Sequence, residues 1–239
     1  MEKRGSHVDI VLSFVIFVTF VVFVIVIVQS PISFDSKDSL RASLRTGLAG
    51  EVSDDLTTVS MALDNTGSPT CVELVGFFTE TEMGSGVIVQ NGNGLVLDAR
   101  VSSGGENLFV TKTGSDDFLR IEESDEFEQE AIGSFSPCTQ LNEGDTGYDL
   151  GLLKTTQRAF ETKIVKLIND YNSDYQGTKE NLGVGSGDEF GFNFTYSNGT
   201  TIGTQEREIT GNVFVDEISV SYVNKTASTQ QGFLTIRTW

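Results

Sequence analysis

The chain has 239 residues and a formal net charge of −18, from 34 acidic and 16 basic residues. Such a polyanion repels phosphate, which excludes a nucleic-acid-binding function and a nucleic-acid partner. His7 is the single histidine and there are two cysteines. A histidine-dependent catalytic site in the later part of the chain and a Cys/His zinc cluster are therefore both excluded.

Residues 10–28 form an almost continuous apolar run, with 17 apolar side chains in 19 positions. As a helix that rises about 1.5 Å per residue, this run reaches roughly 28 Å, close to the hydrocarbon thickness of a bilayer. It is longer than the apolar region of a cleaved secretory signal, and no small-x-small cleavage site follows it. We therefore predict a transmembrane helix over residues 8–30, with the lipid bilayer as its partner.

The charges beside the apolar run predict its orientation. Lys3 and Arg4 precede the run, and no compensating basic cluster follows it. The positive-inside rule then places the N-terminus in the cytoplasm. This predicts a single-pass protein of the cell membrane, with residues 1–7 as a cytoplasmic basic leader and residues 50–239 as an extracellular head domain.

The two cysteines agree with an extracellular head. In an oxidising exterior, Cys71 and Cys138 are more often joined than free. A bridge would close a loop of about 68 residues and stabilise the fold by roughly 4 kcal/mol on the chain-entropy model. The alternative is two buried thiols that never meet.

Three acceptor sequons for N-glycosylation also agree with export. They begin at Asn193 (NFT), Asn198 (NGT) and Asn224 (NKT), all in turn-like or strand-edge contexts. Each triplet alone is common by chance, but the three cluster in the last fifth of the chain. We therefore predict a glycoprotein.

The segment KRGSHVD at residues 3–9 runs directly into the apolar helix, and it resembles the class III signal segment of archaeal type IV pilin-like proteins. The resemblance implies that a prepilin peptidase cuts before the helix, at Gly5 or Ser6, and that the helix remains as membrane anchor and filament core. It also implies a role for Asp9 in helix assembly. An acid in lipid is costly unless it meets a cation, and the freed amine of a neighbouring subunit would supply one.

Two interpretations of this segment stay open. Members of the family usually have Glu as the fifth mature residue, whereas cleavage after Gly5 makes Asp9 the fourth. Cleavage after Arg4 makes Asp9 the fifth but removes the small residue from the cleavage position. In the alternative interpretation the segment is an uncleaved signal anchor, and Asp9 lies at the cytoplasmic headgroups beside the positive end of the helix.

The rest of the sequence predicts an α+β fold: a transmembrane and stalk helix, then a mainly antiparallel β head, sandwich-like or a single sheet, with one amphipathic helix packed on it. The stalk helix or linker lies in residues 31–49, where Leu40, Leu44 and Leu48 recur at four-residue spacing. Asn91-Gly92-Asn93-Gly94 predicts a tight hairpin. The amphipathic helix extends from about residue 160 to near Gly183. Strands are predicted over residues 51–63, 72–78, 87–89, 95–101, 107–112, 117–123, 148–155, 189–197, 212–223 and 232–239.

The charge pattern favours solvated surfaces over a metal site. Residues 116–130 contain eight acids and one base, and residues 142–149 come closer to a calcium loop without its downstream bidentate Glu. We interpret the first run as a solvated acidic face, with calcium as the alternative. The glycines of residues 183–187 follow a helix rather than a strand, which argues against a phosphate-binding loop. The sequence therefore predicts no cofactor, no metal and no catalytic residue.

Together these features predict a pilin-like or minor-pseudopilin structural subunit of an archaeal cell-surface assembly, acting in assembly or adhesion. Its partners would be copies of itself or other pilin-like subunits. The alternative is a non-polymerising membrane-anchored ectodomain that binds an envelope partner or ligand. An enzyme would need a Ser–Lys pair or a carboxylate pair, and no spacing in the sequence indicates one.

Overall fold

A computed structural model describes residues 6–28, 34–64, 70–112, 117–144, 147–209 and 211–239. The chain forms two compact units, Met1–Leu40 and Arg41–Trp239. The first contains helix α1 (Ser6–Val28) and the start of helix α2 (Phe34–Glu51). The second contains the rest of α2 and every strand described.

Helix α1 carries the apolar run. Its described side chains, residues 11–24, are all exposed, and they cover about 21 Å of helix at 1.5 Å per residue. The hydroxyl of Thr19 donates to the Val15 carbonyl 2.8 Å away, which satisfies this polar group within the helix. In the described part of the chain, no helix combines the length and the apolarity that crossing a membrane requires.

The second unit begins within α2, and it contains two of the leucines that recur at four-residue spacing. Leu44 and Leu48 are fully buried. Arg45 on the same helix forms a salt bridge of 3.1 Å with Asp216. The remaining elements in chain order are β1 (Ser53–Leu63), β2 (Cys71–Leu74), α3 (Phe77–Thr81), β3 (Val87–Asn91), β4 (Val96–Leu97), β5 (Ala99–Val101), β6 (Leu108–Thr111), β7 (Phe118–Glu123), β8 (Thr139–Leu141), β9 (Tyr148–Phe160), α4 (Glu161–Ser173), α5 (Tyr175–Asn181), β10 (Phe190–Tyr196), β11 (Thr201–Gly203), β12 (Phe214–Val223) and β13 (Thr229–Thr238).

The strands form two sheets. A nine-stranded sheet has the order β11-β10-β13-β12-β9-β1-β7-β3-β4, and a four-stranded sheet has the order β5-β6-β2-β8. Most neighbours are antiparallel, but β12 pairs in parallel with β9, and β2 with β8. The predicted α+β class is confirmed in this form: a large mixed sheet, a smaller sheet and a few helices.

One end of the large sheet, which we call the sandwich half, consists of β4, β3, β7 and β1 together with the four-stranded sheet. Its core is mainly aliphatic. Alternate residues of β1 and β7 point into it, and these residues are Val59, Met61, Leu63, Leu119 and Ile121. They form one buried cluster with residues of the small sheet such as those at positions 72, 74, 108 and 110. Each methylene buried in this cluster contributes about 0.8 kcal/mol to the stability of the half.

The other end, the helical half, consists of β11, β10, β13 and β12 with helices α4 and α5. Its core is aromatic. Tyr171 of α4 makes edge contacts with Phe190 and Phe192 of β10, at ring-centroid distances of 5.3 and 5.8 Å. Ile164 and Ile168 of α4 are also buried. The predicted apolar stripe on this helix is therefore core packing.

Several expectations about the elements need correction. The predicted strand 95–101 is two strands, β4 and β5, which belong to different sheets. Only Cys71–Leu74 of the predicted strand 72–78 is extended, because Gly76 takes a φ of 72° and the chain turns into α3. The single amphipathic helix is two helices, since the Asp174 side chain accepts from the Gly177 amide and starts α5 anew. The short strands β8 and β11 were not predicted, because three residues are too few for an alternating pattern to stand out.

Candidate functional site

A cleft of about 420 Å³ lies at the point where four segments of the second unit meet. The segments are β3, the chain that follows β7, the first turn of α4, and the turn between β12 and β13. The lining residues are Ile88, Glu126, Phe127, Glu128, Gln129, Glu130, Thr162 and Lys225. Clefts of about 300–1,000 Å³ are typical of small-molecule sites.

The acidic wall of the cleft is residues 124–130, and local bonds hold it in place. The Ser124 hydroxyl donates to the Asp55 carbonyl at 2.8 Å, and the Ser124 amide donates to the Gly86 carbonyl at 3.1 Å. A Cβ on Gly86 would lie 2.7 Å from the Ser124 carbonyl oxygen, so this close approach needs glycine. Phe127 is buried and meets Phe160 edge-on at 5.8 Å. The carboxylates of the wall therefore project from a fixed backbone.

The turn between β12 and β13 carries Lys225, which also lines the cleft. The Asn224 side-chain oxygen accepts three bonds, from the Thr226 amide at 3.0 Å, the Thr226 hydroxyl at 2.9 Å and the Ser228 amide at 2.9 Å. Gln90 of β3 donates to the Thr226 carbonyl at 3.0 Å and holds the turn against the sheet. Lys225 is exposed at the edge of the cleft.

The cleft carries both signs of charge. Glu126 accepts a hydrogen bond from the Thr162 hydroxyl at the start of α4. Burial raises the pKa of Glu130, and the nearby charge of Asp98 raises it further, while the Ala131 amide lowers it. The same cleft is lined by Lys225 and by Thr162 in the first turn of α4, whose N-cap has no side-chain hydrogen bond. The lining can thus both donate and accept hydrogen bonds, beside the partly buried Ile88.

The buried carboxylate of Glu122 lies on β7, opposite Ile88 in the strand register. Its side chain is fully buried, so the interpretation of residues 116–130 as a solvated acidic face is wrong at this position. Phe118 and Arg120 lie on the same face of β7 and are exposed, so the burial of Glu122 is local to its pairing with Ile88 of β3. Arg120 donates to Oε1 of Glu122, whereas Oε2 has no hydrogen-bond partner among the described residues.

The residues expected to take part in processing lie at the N-terminus. Gly5 is outside the described residues, and Ser6 is the first residue of α1. Asp9 lies within the first turns of the same helix. Since nothing further is described around these positions, the prepilin-type cleavage and the assembly role of Asp9 stay predictions.

The predicted pairing of the two cysteines is confirmed. Cys71 and Cys138 form a disulfide with a Cα–Cα distance of 4.7 Å. The bridge joins the first residue of β2 to the residue before β8. It therefore closes the long loop that contains the acidic wall of the cleft.

The three sequon asparagines have different surroundings. Asn193 is half-buried in the middle of β10, where it accepts from Arg237 at 3.3 Å, and its side chain leaves no room for a Cβ on Gly203. Asn198 lies in an exposed turn, and its oxygen accepts from the Thr200 amide at 2.9 Å. Asn224 forms the turn at the cleft. Glycosylation of each remains a prediction.

No metal site is present in the described residues, where no group of three or more histidine, cysteine or carboxylate side chains is placed to hold an ion. Asp145, in the calcium-like segment, lies outside them. No protein family, curated protein or solved structure matches the chain.

The sequence did not indicate the cleft. Its lining comes from positions 88, 126–130, 162 and 225, which only the long-range pairing of the strands brings together. Two features of the sequence mark segments that line the cleft. Lys225 is the middle residue of a sequon, and residues 126–130 are the end of the acidic run. Neither feature says that the two segments meet.

Proposed function

We propose that the protein is a pilin-like or minor-pseudopilin structural subunit of an archaeal cell-surface assembly, anchored by residues 8–30 with residues 50–239 outside the cell. The observation that carries the proposal is the apolar run of residues 10–28, preceded by the basic pair Lys3 and Arg4. A span with basic residues on one side alone is the pattern of a membrane anchor with a cytoplasmic N-terminus.

Two further observations support the proposal, one for the external head and one for the apolar helix. The Cys71–Cys138 disulfide is of a kind that persists in oxidising compartments and is rare in reducing ones. The described side chains of α1 are exposed and almost all apolar, with Phe14, Phe17 and Phe20 each more than 60% exposed. In water such a surface is costly, so lipid or a neighbouring apolar helix is its natural environment.

Assembly would use the same helix. Removal of the leader by a prepilin peptidase frees an amine at the helix start, and Asp9 pairs with the amine of the next subunit. The partners are then copies of this chain or other pilin-like subunits. Adhesion would fall to the head.

The test is the N-terminus of the chain isolated from membranes of an archaeal host. The intact mass and N-terminal sequencing should show a mature chain that begins at Ser6, or at Gly5 if the cut follows Arg4. Gly5→Trp should block the cut, because the peptidase needs a small residue at this position. Gly50→Trp, at a helical position with open space around it, is the matched control and should leave processing unchanged.

Two outcomes would contradict the proposal to different extents. An uncut chain that stays in the membrane fraction would replace the pilin-like interpretation by a signal anchor. An intact chain recovered as a soluble cytosolic protein with reduced Cys71 and Cys138 would overturn the anchor as well.

The second candidate is a non-polymerising ectodomain that binds an envelope partner or ligand. The cleft favours it, because a subunit that acts through its helix alone has no need of a concave site with both signs of charge. Sedimentation of the full chain in detergent, with electron microscopy of the host surface, separates the candidates. Monomers on a surface without filaments would favour the ectodomain.

A further inference from the structure

Strand β9 (Tyr148–Phe160) is open along most of one side. One side pairs with β1, and residues 153–159 follow β1 in an unbroken register, whereas the other side pairs with β12 only at Ala159 and Phe160. The Phe160 amide donates to the carbonyl of Val52, just before β1. Because alternate residues of an antiparallel strand bond to the same neighbour, the backbones of residues 153, 155 and 157 point away from β1. Among the described strands, none pairs with this side between Asp149 and Arg158.

The side chains of this stretch are uncovered as well. Leu152 is 78% exposed and Leu153 is 42% exposed, and residues 154, 155, 157 and 158 are also exposed. No proline interrupts residues 148–160. An edge with unpaired amides and carbonyls binds further strands unless a proline, a cover or an inward charge prevents it. We call residues 153–158 the acceptor edge.

The acceptor edge carries positive charge only. Lys154 and Arg158 lie on the same face, since positions four apart in a strand share a face, and neither forms a salt bridge among the described residues. Asp54 of β1 lies opposite Arg158, but its carboxylate is bound to Lys163 at 2.7 Å. The edge therefore presents two cations, although the whole chain has a net charge of −18.

The same two cations disfavour a second copy of this chain at the edge. Two acceptor edges could pair antiparallel only with outward backbones opposite each other, which means that residues 153, 155 and 157 meet one another. In each such register, Lys154 or Arg158 of one copy lies directly opposite or diagonal to Lys154 or Arg158 of the other. Like charges at these positions destabilise a strand pair. The charge of the edge thus fits an acidic strand and not its own copy.

We propose that the acceptor edge of β9 binds an extended acidic segment of a partner protein as an added antiparallel strand. The outward backbones of residues 153, 155 and 157 bond to the segment and provide affinity, while carboxylates beside Lys154 and Arg158 provide selectivity. Leu153, on the other face of the strand, packs against an apolar side chain of the segment. The inference goes beyond assembly through the apolar helix and does not depend on it.

The net charge of the chain does not prevent this contact. A charge of −18 repels an acidic segment at long range, but at physiological ionic strength the repulsion is screened beyond about 8 Å. Carboxylates directly beside Lys154 and Arg158 are within this distance. Local attraction at the edge therefore outweighs the repulsion from distant acids.

The test uses the full chain in detergent and two synthetic peptides of about eight residues, the length of a common strand. In one peptide glutamate alternates with valine and threonine, and in the other lysine replaces each glutamate. Calorimetry at about 0.15 M salt should show that the glutamate peptide binds about tenfold more tightly. The same peptide should slow hydrogen exchange severalfold at the amides of residues 153, 155 and 157. The amides of residues 154, 156 and 158 already face β1 and should not change.

Matched variants separate the backbone contribution from the charge contribution. Thr155→Pro removes one outward amide without removing a bond to β1, and it should abolish the binding of the glutamate peptide. Lys154→Glu combined with Arg158→Glu should reverse the preference, so that the lysine peptide binds more tightly. The control Lys166→Glu makes the same charge change at an exposed position of α4 and should leave the preference unchanged.

Three outcomes would overturn the proposal. The first is equal affinity for the two peptides, and the second is tight binding that Thr155→Pro does not weaken in a chain with unchanged circular dichroism. The third is a dimer of the parent chain that protects the amides of residues 153, 155 and 157, since a second copy would then occupy the edge. None of these outcomes bears on the anchor, and an uncut or soluble chain would leave the acceptor edge unchanged.

Discussion

The two halves of the head use one continuous sheet but bury it in different ways. The sandwich half covers its strands with a second sheet, and its core is mostly valine, leucine, isoleucine and methionine. The helical half covers its strands with α4 and α5, and its core is a chain of phenylalanine and tyrosine rings. The two covers of one sheet are thus paired with cores of different composition, aliphatic under the second sheet and aromatic under the helices.

The halves also differ in the bonds that stabilise the covering element. In the sandwich half the Cys71–Cys138 disulfide lies within the covering sheet, where it joins β2 to the residue before β8 and closes a loop with a sequence separation of 67. In the helical half the cover is held by polar contacts. Lys179 of α5 donates to Glu189 at 2.9 Å, and Tyr171 of α4 donates to the Phe190 carbonyl at 2.5 Å. The sandwich half should thus be the one that is sensitive to reduction.

The largest expected effect on stability comes from truncating one buried side chain in each of the two cores. Phe192→Ala should lower the free energy of unfolding by about 3–5 kcal/mol, and Leu108→Ala by about 2–5 kcal/mol, since each leaves a cavity at a fully buried site. Urea unfolding followed by circular dichroism measures the total. The fluorescence of Trp239, the single tryptophan, reports on the helical half.

The same pair tests whether the halves unfold together. If they form one cooperative unit, both variants shift the Trp239 transition. A shift with Phe192→Ala but none with Leu108→Ala would show that the halves unfold separately, and the continuous sheet would not be a cooperative link.

Removing the disulfide should have the next largest effect. The double variant Cys71→Ser with Cys138→Ser should lose about 4 kcal/mol, because the unfolded chain regains the freedom that the closed loop removes. Thermal unfolding with and without a reductant gives the measurement. A reductant should destabilise the parent chain and leave the double variant unchanged, and an effect on the variant would contradict this account.

The buried lysine of the helical half should come third. The side chain of Lys179 is only 3% exposed, and it forms an ion pair with Glu189. Lys179→Gln breaks this pair and should lower the free energy of unfolding by about 1–3 kcal/mol. The matched control is Arg45→Gln, which breaks the more exposed pair with Asp216 and should cost about 0–1 kcal/mol. Equal losses would mean that burial of Lys179 adds nothing to the pair.

The smallest effects are opposite pH dependences in the two halves. Burial opposes ionisation of Glu189, but hydrogen bonds from Lys179 and Tyr175 outweigh it and lower its pKa below the ordinary 4.5. The folded state therefore gains stability above pH 4.5 and loses it as the pH falls through the lowered pKa. Glu189→Gln should reduce the loss of stability on acidification.

Glu123, at the end of β7 in the sandwich half, should behave in the opposite way. Burial raises its pKa above 4.5, and the charges of Asp125 and Asp55 add to the shift. Its ionisation therefore costs stability as the pH rises from 4.5 through the raised pKa. Glu123→Gln should be slightly stabilising at pH 7 and neutral near pH 4, as measured by urea midpoints, and a loss at pH 7 would contradict this.

The local patterns of the sequence predicted much of the fold. Leucines at four-residue spacing indicated α2, the apolar stripe up to Tyr171 indicated α4, and the Asn91–Gly94 turn indicated the β3–β4 hairpin. Each signal lies within about ten residues, where periodicity and turn chemistry decide the structure. The pairing of the cysteines followed from compartment and number, since only two are present.

Long-range pairing could not be predicted in the same way. The contact of Tyr222 with Ala159 joins β12 to β9 in parallel, and no local pattern specifies it. The cleft depends on this pairing, because it brings the turn carrying Lys225 to β3. Local sequence patterns therefore could not predict the cleft.

The salt bridge from Arg45 to Asp216 spans 171 positions of the chain, and this separation affects the order of biosynthesis. Helix α2 precedes β12 in the chain, so Arg45 is synthesised 171 positions before Asp216. This ion pair can therefore close only after the intervening strands have been made, and a nascent chain that stops short of β12 would leave Arg45 without this partner.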